Sequence, residues 1–104
     1  MATKTVTIVR VYLREGENLL SDLLKFLHDE VQVSGVTVVR GIAGFGADGK
    51  LHLSSLSDLS LDLPLIVEFY DTPERISPIL QALESQPGIT HVISWQSTCY
   101  IKQL

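Results

Sequence analysis

A glycine-rich stretch is the part of the sequence whose residue types and spacing could do chemistry. Residues 38–52 read VVRGIAGFGADGKLH, in which Gly41, Gly44, Gly46 and Gly49 follow Arg40. Glycines at such spacing can bring backbone N–H groups up to a pyrophosphate at the start of a helix. The residues that follow Gly49, KLHLSSLSDLSLDLP, lack helical periodicity, and no GKS or GKT ending of a P-loop is present. The stretch therefore predicts a flexible loop root, where Gly41 and Gly44 let the backbone approach a ligand or a neighbouring subunit.

Two basic residues flank the glycines. Arginine directly before a glycine-rich turn can pair with phosphate through its planar fork, which makes Arg40 a candidate anion contact. The alternative, which we slightly favour, is a salt bridge from Arg40 to Glu68 across adjacent predicted strands. Lys50 is interpreted either as a phosphate contact or as a solubilising charge.

Other chemistries have weaker support. The candidate metal ligands are His28, His52, His91 and Cys99, and they form no HExxH or CxxC pair, so we expect no intrinsic metal site. Serines near His52 and Asp58 lack the G-x-S-x-G turn that would fix a nucleophile, and Asp58 and Asp62 are expected to be merely solvated. We expect no catalysis and no cofactor.

Length and composition restrict the classes of function. The chain has 104 residues and a formal net charge of −4, which predicts one domain over residues 1–104 and no nucleic-acid binding. No apolar run approaches the ~20 residues that span a bilayer, and no signal-peptide pattern opens the chain, so we expect no membrane insertion and a cytoplasmic location. Cys99 is expected to be a reduced packing residue.

The apolar periodicity predicts six elements. A strand rich in β-branched residues is predicted over residues 5–13, and a helix over residues 18–33. Asn18 is predicted to cap this helix and Gly35 to stop it. Its apolar face is predicted to hold Leu20, Leu24, Leu27 and Val31. Strands are predicted over 36–43 and 64–71. A second helix begins after Thr72 and ends at Pro87 and Gly88, with Pro78 kinking it or Ser77 as its true cap. The run over 89–104 predicts the last strand.

The order βαββαβ predicts the ferredoxin-like α+β sandwich, in which two helices cover one face of a four-stranded antiparallel sheet. Alternation places Val9, Val11 and Leu13 on one face and Val6, Ile8, Arg10 and Tyr12 on the other. Because the face without helices is apolar around a potential Arg10–Glu68 pair, we expect an oligomer to bury it. Scattered exposed apolar residues on a monomer are the alternative.

The connection between the second and third strands, residues 45–63, is the strongest hint of function that the residues alone provide. Connections beyond about 12 to 15 residues without structure of their own are often functional loops. An equally supported and compatible interpretation is an extended hairpin that turns at Asp48 and Gly49 and packs Leu51, Leu53 and Leu56 on a neighbour.

Several stretches together resemble one family. RGIAGFG at residues 40–46, LH at 51–52, DLS at 58–60, DLP at 62–64 and IVE at 66–68 are similar to domain of unknown function 190, a PII-like group. The resemblance implies a ferredoxin-like homotrimer whose sheets face a central interior, and a T-loop at residues 45–63. PII proteins place a basic, glycine-rich phosphate loop between the second helix and the last strand, whereas this chain has ESQPGI at 84–89. The PII modification motif around a tyrosine is also absent from the loop.

The sequence and the resemblance predict a trimeric cytoplasmic regulator that binds an adenine nucleotide or small anion, and a transporter or channel partner through residues 45–63. The predicted ligand cleft is bordered by Arg40, Gly41, Gly44, Phe45, Gly46 and Lys50, with Pro87 and Gly88 arriving from a neighbouring subunit. Two alternatives remain open: a metal-responsive protein resembling trimeric copper-tolerance proteins, with His52 or Cys99 as ligand, and a small enzyme using Asp58 and Asp62.

Overall fold

The computed structural model describes residues 1–46, 48–53 and 62–102, and it has the predicted ferredoxin-like α+β architecture. The main sheet is antiparallel, with strand order β2-β5-β1-β6. Its strands are β1 (Ala2–Arg14), β2 (Gly35–Arg40), β5 (Pro64–Asp71) and β6 (Val92–Ile101), while β3 (Ala43–Gly44) and β4 (His52–Leu53) form a separate two-stranded pair. The helices are α1 (Leu20–Lys25) and α2 (Pro73–Glu84). No helix in these ranges has the length and apolar character to cross a membrane.

The core lies between the helices and one face of the sheet. Val9 and Val11 of β1 and Val67 and Phe69 of β5 are fully buried, and they alternate along each strand with side chains on the opposite face. Leu27, Ile76 and Leu83 cover them from the helix layer. The period-2 patterning thus assigned the core face of both central strands correctly.

The first helical segment differs from its prediction. Helix α1 is short and continues into a wider π-helical turn, Phe26–Glu30. Asn18 is not its cap: with φ at 57°, it ends a 3-10 turn at Glu15–Glu17. Left-handed backbone suits asparagine, so one residue type can mark either a helix start or a turn end. The buried contacts come from Leu23 and Leu27, which lie four residues apart on one face, so Leu23 takes the place expected for Leu24.

The start of β2 also differs from its prediction. The chain turns at Gln32, whose φ is 51°, and Gly35 opens β2 instead of stopping a helix. Gly35 pairs with Tyr70, and a Cβ atom there would lie 2.8 Å from the Tyr70 ring. Position 35 therefore requires glycine because the Tyr70 ring covers it, and the pattern of residues near Gly35 in the sequence does not reveal this requirement.

Helix α2 begins as predicted, with Thr72 in extended backbone at the N-cap and Pro73 in the first turn. Pro78 lies inside the helix, so Ser77 is not the cap. Proline there removes the hydrogen bond from residue 78 to the Glu74 carbonyl, but Glu74 and Pro78 are both exposed, so that carbonyl can be hydrated. The buried stripe of Ile76, Ile79 and Leu83 runs past the proline and secures the helix to the sheet.

The sheet face away from the helices is apolar. Val39, Ile93 and Trp95 lie on it and are 50%, 47% and 39% exposed. Arg10 Nε donates to Glu68 Oε1 at 2.7 Å, which confirms the predicted pair, and the guanidinium carbon lies 5.3 Å from the Trp95 ring centroid. Arg10 and Glu68 satisfy each other, so this face presents apolar surface around an internally neutralised pair.

Candidate ligand site

The glycine-rich stretch forms the end of β2 and a small hairpin. Gly44 of β3 pairs with His52 of β4, and the hairpin turns where Gly49 adopts a φ of 72°. The Gly49 N–H donates to the Gly46 carbonyl at 3.0 Å, and the Lys50 N–H donates to Asp48 Oδ1 at 2.9 Å. The hairpin turning at Asp48 and Gly49 is therefore confirmed in the described residues, whereas Leu56 and the Leu53 side chain lie outside them.

Pro64 packs closely against positions 41 and 44, and this contact explains why both positions hold glycine. A Cβ atom on either glycine would lie 2.8 Å or 3.1 Å from Pro64 Cγ, and the Gly41 N–H donates to the Pro64 carbonyl at 2.8 Å. The close approach predicted at these positions is thus made by the first residue of β5. It fixes the direction in which the hairpin leaves the sheet, and with it the position of Arg40.

Arg40 pairs with Glu15, so the predicted salt bridge to Glu68 is wrong. Arg40 Nε donates to Glu15 Oε1 at 2.6 Å. In the strand register Arg40 lies opposite Leu65, while Glu68 lies opposite Thr37. Since Leu65 faces the core and Glu68 the other side of the sheet, Arg40 and Glu68 are on opposite faces.

Asp62 accepts two short hydrogen bonds at the other end of the connection. The Gly16 N–H donates to its Oδ1 at 2.7 Å and Arg14 Nη1 donates to its Oδ2 at 2.7 Å. The Gly16 hydrogen bond, helped by the nearby Arg14 and His52, lowers the pKa of Asp62 below its ordinary value. The expectation that Asp62 is merely solvated is therefore wrong, while Asp58 lies outside the described residues.

His52 joins this group from the hairpin. Its Nδ1 lies 3.6 Å from Asp62 Oδ2, and its buried Nε2 has no hydrogen-bond partner within the described ranges. We define the loop-root cluster as the residues that meet here, which are Arg14, Glu15, Gly16, Arg40, His52 and Asp62. The cluster gathers three cationic or titratable nitrogen groups and two carboxylates at one end of the sheet.

The metal-ligand candidates do not converge. Within the described residues, no group of three or more His, Cys, Asp and Glu could hold a metal ion. Cys99 pairs with Lys4 near the start of β1, whereas His52 lies near Arg14 at its end. At about 3.3 Å per strand residue, these two ends lie roughly 30 Å apart, so His52 and Cys99 of one chain cannot share an ion.

Pro87 and Gly88 lie at the same end of the sheet but at its other edge. Gly88 has a φ of 88°, and a Cβ there would lie 3.0 Å from Leu19 Cδ1. The adjoining strand β6 and the Arg40 strand β2 are the two outer strands. With neighbouring strands about 4.8 Å apart, the two edges are separated by roughly 14 Å within one chain. Six of the eight predicted site residues therefore lie at the end of β2 and on the hairpin that follows it, and the other two lie at the opposite edge of the sheet within one chain.

A separate groove of about 400 Å³ lies in the helix layer, where Phe26, Val31, Pro78 and Ile79 line it. These residues belong to the end of the first helical segment and to α2. No residue that lines the groove belongs to the loop-root cluster, so the groove is not part of the candidate ligand site.

The sequence did not identify Arg14, Glu15 and Gly16 as site residues. They follow the first strand, far in sequence from Arg40 and Asp62. The signal was topological, because in an antiparallel βαββαβ sheet the end of the first strand lies beside the start of the third. The pairing of Arg14 with Pro64 shows this adjacency.

The sheet order and the single helix layer define a ferredoxin-like fold, which is also the fold of PII-like proteins. CPII, a nitrogen regulatory PII-like protein from Thiomonas intermedia K12 bound to ADP, AMP and bicarbonate, is similar with a TM-score of 0.66 and 18% identity, covering 94% of this chain and 91% of that one. A PII-like signaling protein from Thermus thermophilus is similar with a TM-score of 0.65 and 17% identity, covering 97% and 93%. At these identities the likeness shows the fold.

The chain belongs to the DUF190 family, described as an uncharacterized ACR, which matches residues 6–98. It is also 37% identical over 81 residues to a UPF0166 protein of Methanocaldococcus jannaschii, and the match covers 73% of each chain. The family resemblance carried by the RGIAGFG and DLP stretches is thereby confirmed.

Proposed function

We propose that this protein is a PII-like regulator without catalysis of its own, which binds a nucleoside phosphate between subunits of a trimer. The observation that carries the proposal is the placement of Arg40 and the glycine root at one sheet edge and Gly88 at the other, at the same end. A ring of subunits joins one edge to the opposite edge of a neighbour, so each cleft would receive both groups. The ADP and AMP bound to CPII, which shares this fold, support the choice of ligand.

The apolar sheet face supports the assembly. Ile93 and Trp95 lie on it beside the neutralised Arg10–Glu68 pair, and contiguous apolar surface of this kind typically marks an interface. Three copies facing a common axis would remove it from water. We expect a solution mass of about three times the 11.5 kDa of one chain.

The hairpin supports a protein partner, for which a transporter or channel is our proposal. Gly44 and His52 face the body of the protein, where Pro64 and Asp62 contact them. The next positions outward, Phe45 and Leu51, lie opposite each other if the pairing continues, and they are 74% and 61% exposed. An exposed apolar cross-strand pair on a projecting hairpin is suited to binding another protein.

The test combines calorimetry with melting temperature. ADP at about 100 times its Kd should stabilise the folded protein by roughly 2.7 kcal/mol. The variant Arg40→Gln should bind about 10- to 100-fold more weakly, because a charge-assisted hydrogen bond to phosphate is removed. Lys25→Gln makes the same change of charge at an exposed position of α1 and should bind as the wild type does. No heat and no stabilisation by ADP, AMP or ATP at millimolar concentration would refute the nucleotide-binding function.

A further inference from the structure

A 3-10 turn lies between the two ends of the long connection. The turn is Glu15–Glu17, directly after β1. Glu15 accepts from Arg40, which precedes the connection, while the Glu15 N–H donates to the Leu63 carbonyl at 3.0 Å, near the end of the connection. The turn thus contacts both ends of the connection between β2 and β5, although it is far from both ends in sequence.

The Arg40 guanidinium is already occupied by a carboxylate. Glu15 Oε1 lies 2.6 Å from Arg40 Nε, and the Glu15 side chain is the less exposed of the two, at 28% against 49%. A carboxylate bound to arginine uses the same N–H donors that a phosphate oxygen would use. An anion that binds Arg40 through this donor must therefore displace Glu15.

The neighbouring contacts continue from Glu15 to Asp62. Gly16, the next residue, donates its N–H to Asp62 Oδ1, and Arg14 binds the other oxygen. The Arg14 N–H in turn donates to Glu17 Oε1 at 2.7 Å. The backbone N–H groups of Glu15 and Gly16, which hold Leu63 and Asp62, therefore lie within one residue of the side chain that pairs with Arg40.

We propose that Glu15 is an internal competitor for the anion at Arg40, and that its displacement by phosphate weakens the Gly16–Asp62 contact at the far end of the connection. The proposal rests on the nucleotide-binding function proposed above and adds its regulation. It also specifies the class of ligand. A singly charged anion gains little over the carboxylate that it replaces, so the site favours nucleoside diphosphates over monoanions such as bicarbonate.

The first experiment is ADP and bicarbonate titration by calorimetry on the wild type, Glu15→Gln and Glu30→Gln. Glu15→Gln removes the competing charge and keeps the side-chain size, so ADP binding should tighten about two- to fivefold, the range of an exposed ion pair. Because bicarbonate would have to displace the same carboxylate, its binding should tighten by a similar factor in this variant. Glu30→Gln removes an exposed carboxylate near the opposite end of the sheet and should leave both affinities unchanged.

The second experiment follows amide hydrogen exchange at Gly16 by NMR. Saturating ADP should speed the exchange of this amide in the wild type, since its acceptor is released. In Asp62→Ala the amide should exchange fast without ADP, and ADP should change it little. Because Asp62→Ala removes several contacts, Glu15→Gln provides the second variant, in which ADP should speed the exchange of Gly16 less than in the wild type.

The outcomes separate the two proposals. Failure of the wild type and every variant to bind ADP, AMP or ATP would overturn the nucleotide-binding function and this inference with it. Equal ADP affinity in the wild type and Glu15→Gln would overturn the competition alone and leave the nucleotide-binding function intact. Tighter binding by Glu15→Gln without any change in Gly16 exchange would support the competition and overturn its transmission to Asp62.

Discussion

Replacing Gly16 by alanine is the sharpest structural test of the loop-root cluster. A Cβ atom there would lie 2.8 Å from Asp62 Oδ1 and 3.0 Å from Asp62 Cγ. Real Cβ atoms do not approach other atoms so closely, so the carboxylate must move. When it moves it gives up the hydrogen bond from the Gly16 N–H and changes its contact with Arg14.

The expected cost follows from the hydrogen bond that the substitution breaks. A hydrogen bond to a charged group contributes about 1.5 to 3 kcal/mol when it is well shielded from water. Asp62 retains 29% exposure of its side chain, so water partly compensates, and we expect a decrease of about 1 to 2 kcal/mol in the free energy of unfolding. For a domain of this size, each kcal/mol lowers the melting temperature by about 4 to 8 °C.

Urea unfolding followed by circular dichroism, at one fixed protein concentration, measures this effect. Gly46→Ala is the matched control, because a Cβ atom at Gly46 meets no atom within 4 Å. It should leave stability unchanged or raise it slightly by restricting the unfolded chain. In an Asp62→Ala background, Gly16→Ala should cost little, since the atom that it strikes is gone. Equal decreases in the wild-type and Asp62→Ala backgrounds would refute the cluster as described.

The remaining predictions concern pH, assembly and the second helix. Since folding lowers the pKa of Asp62, its stabilising effect is complete above the unfolded pKa of about 3.9 and disappears as the pH falls through the lower folded value. The stability difference between wild type and Asp62→Asn should therefore be constant above about pH 5 and narrow in more acidic urea titrations; a difference that widens on acidification would contradict the sign. Ile93→Asp should convert the proposed trimer to a species near 11.5 kDa by light scattering, while Thr98→Asp, on the other face of the same strand, should not. Pro78→Ala should raise the free energy of unfolding by about 1 to 3 kcal/mol in thermal unfolding, because it restores a helical hydrogen bond. An unchanged melting temperature would contradict this prediction.

The sequence predicted those parts of the fold that local chemistry determines. Strand β5 was predicted over its observed bounds because its apolar alternation begins at a proline and ends before a helix cap. The Arg10–Glu68 pair was predicted because the two central strands share a face pattern. In both cases the deciding information lies within one element or between two adjacent ones.

The candidate site was only half predictable for the same reason. Arg40 and the glycines stand out in the sequence, but their actual contacts with Glu15 and Pro64 depend on strand register. Shifting a strand by one residue exchanges its faces, and this is why a salt bridge from Arg40 to Glu68 was plausible from the sequence and impossible in the sheet. Asp62 looked like a solvated loop carboxylate because its partner Gly16 offers only a backbone N–H, which no side-chain pattern reveals.

The exposed ion pair at the loop root suits the regulatory role proposed above. Exposed ion pairs such as Arg40–Glu15 contribute about 0 to 1 kcal/mol each, so exchanging one for a ligand contact costs little. Val67 and Phe69, a few residues further along β5, are fully buried and would resist the same displacement. A ligand that prefers the displaced state of Glu15 by about 2 kcal/mol would shift that equilibrium roughly 30-fold. Such a shift would alter the loop root without disturbing the sheet, because the contacts exchanged lie at the strand ends and the core begins beyond them.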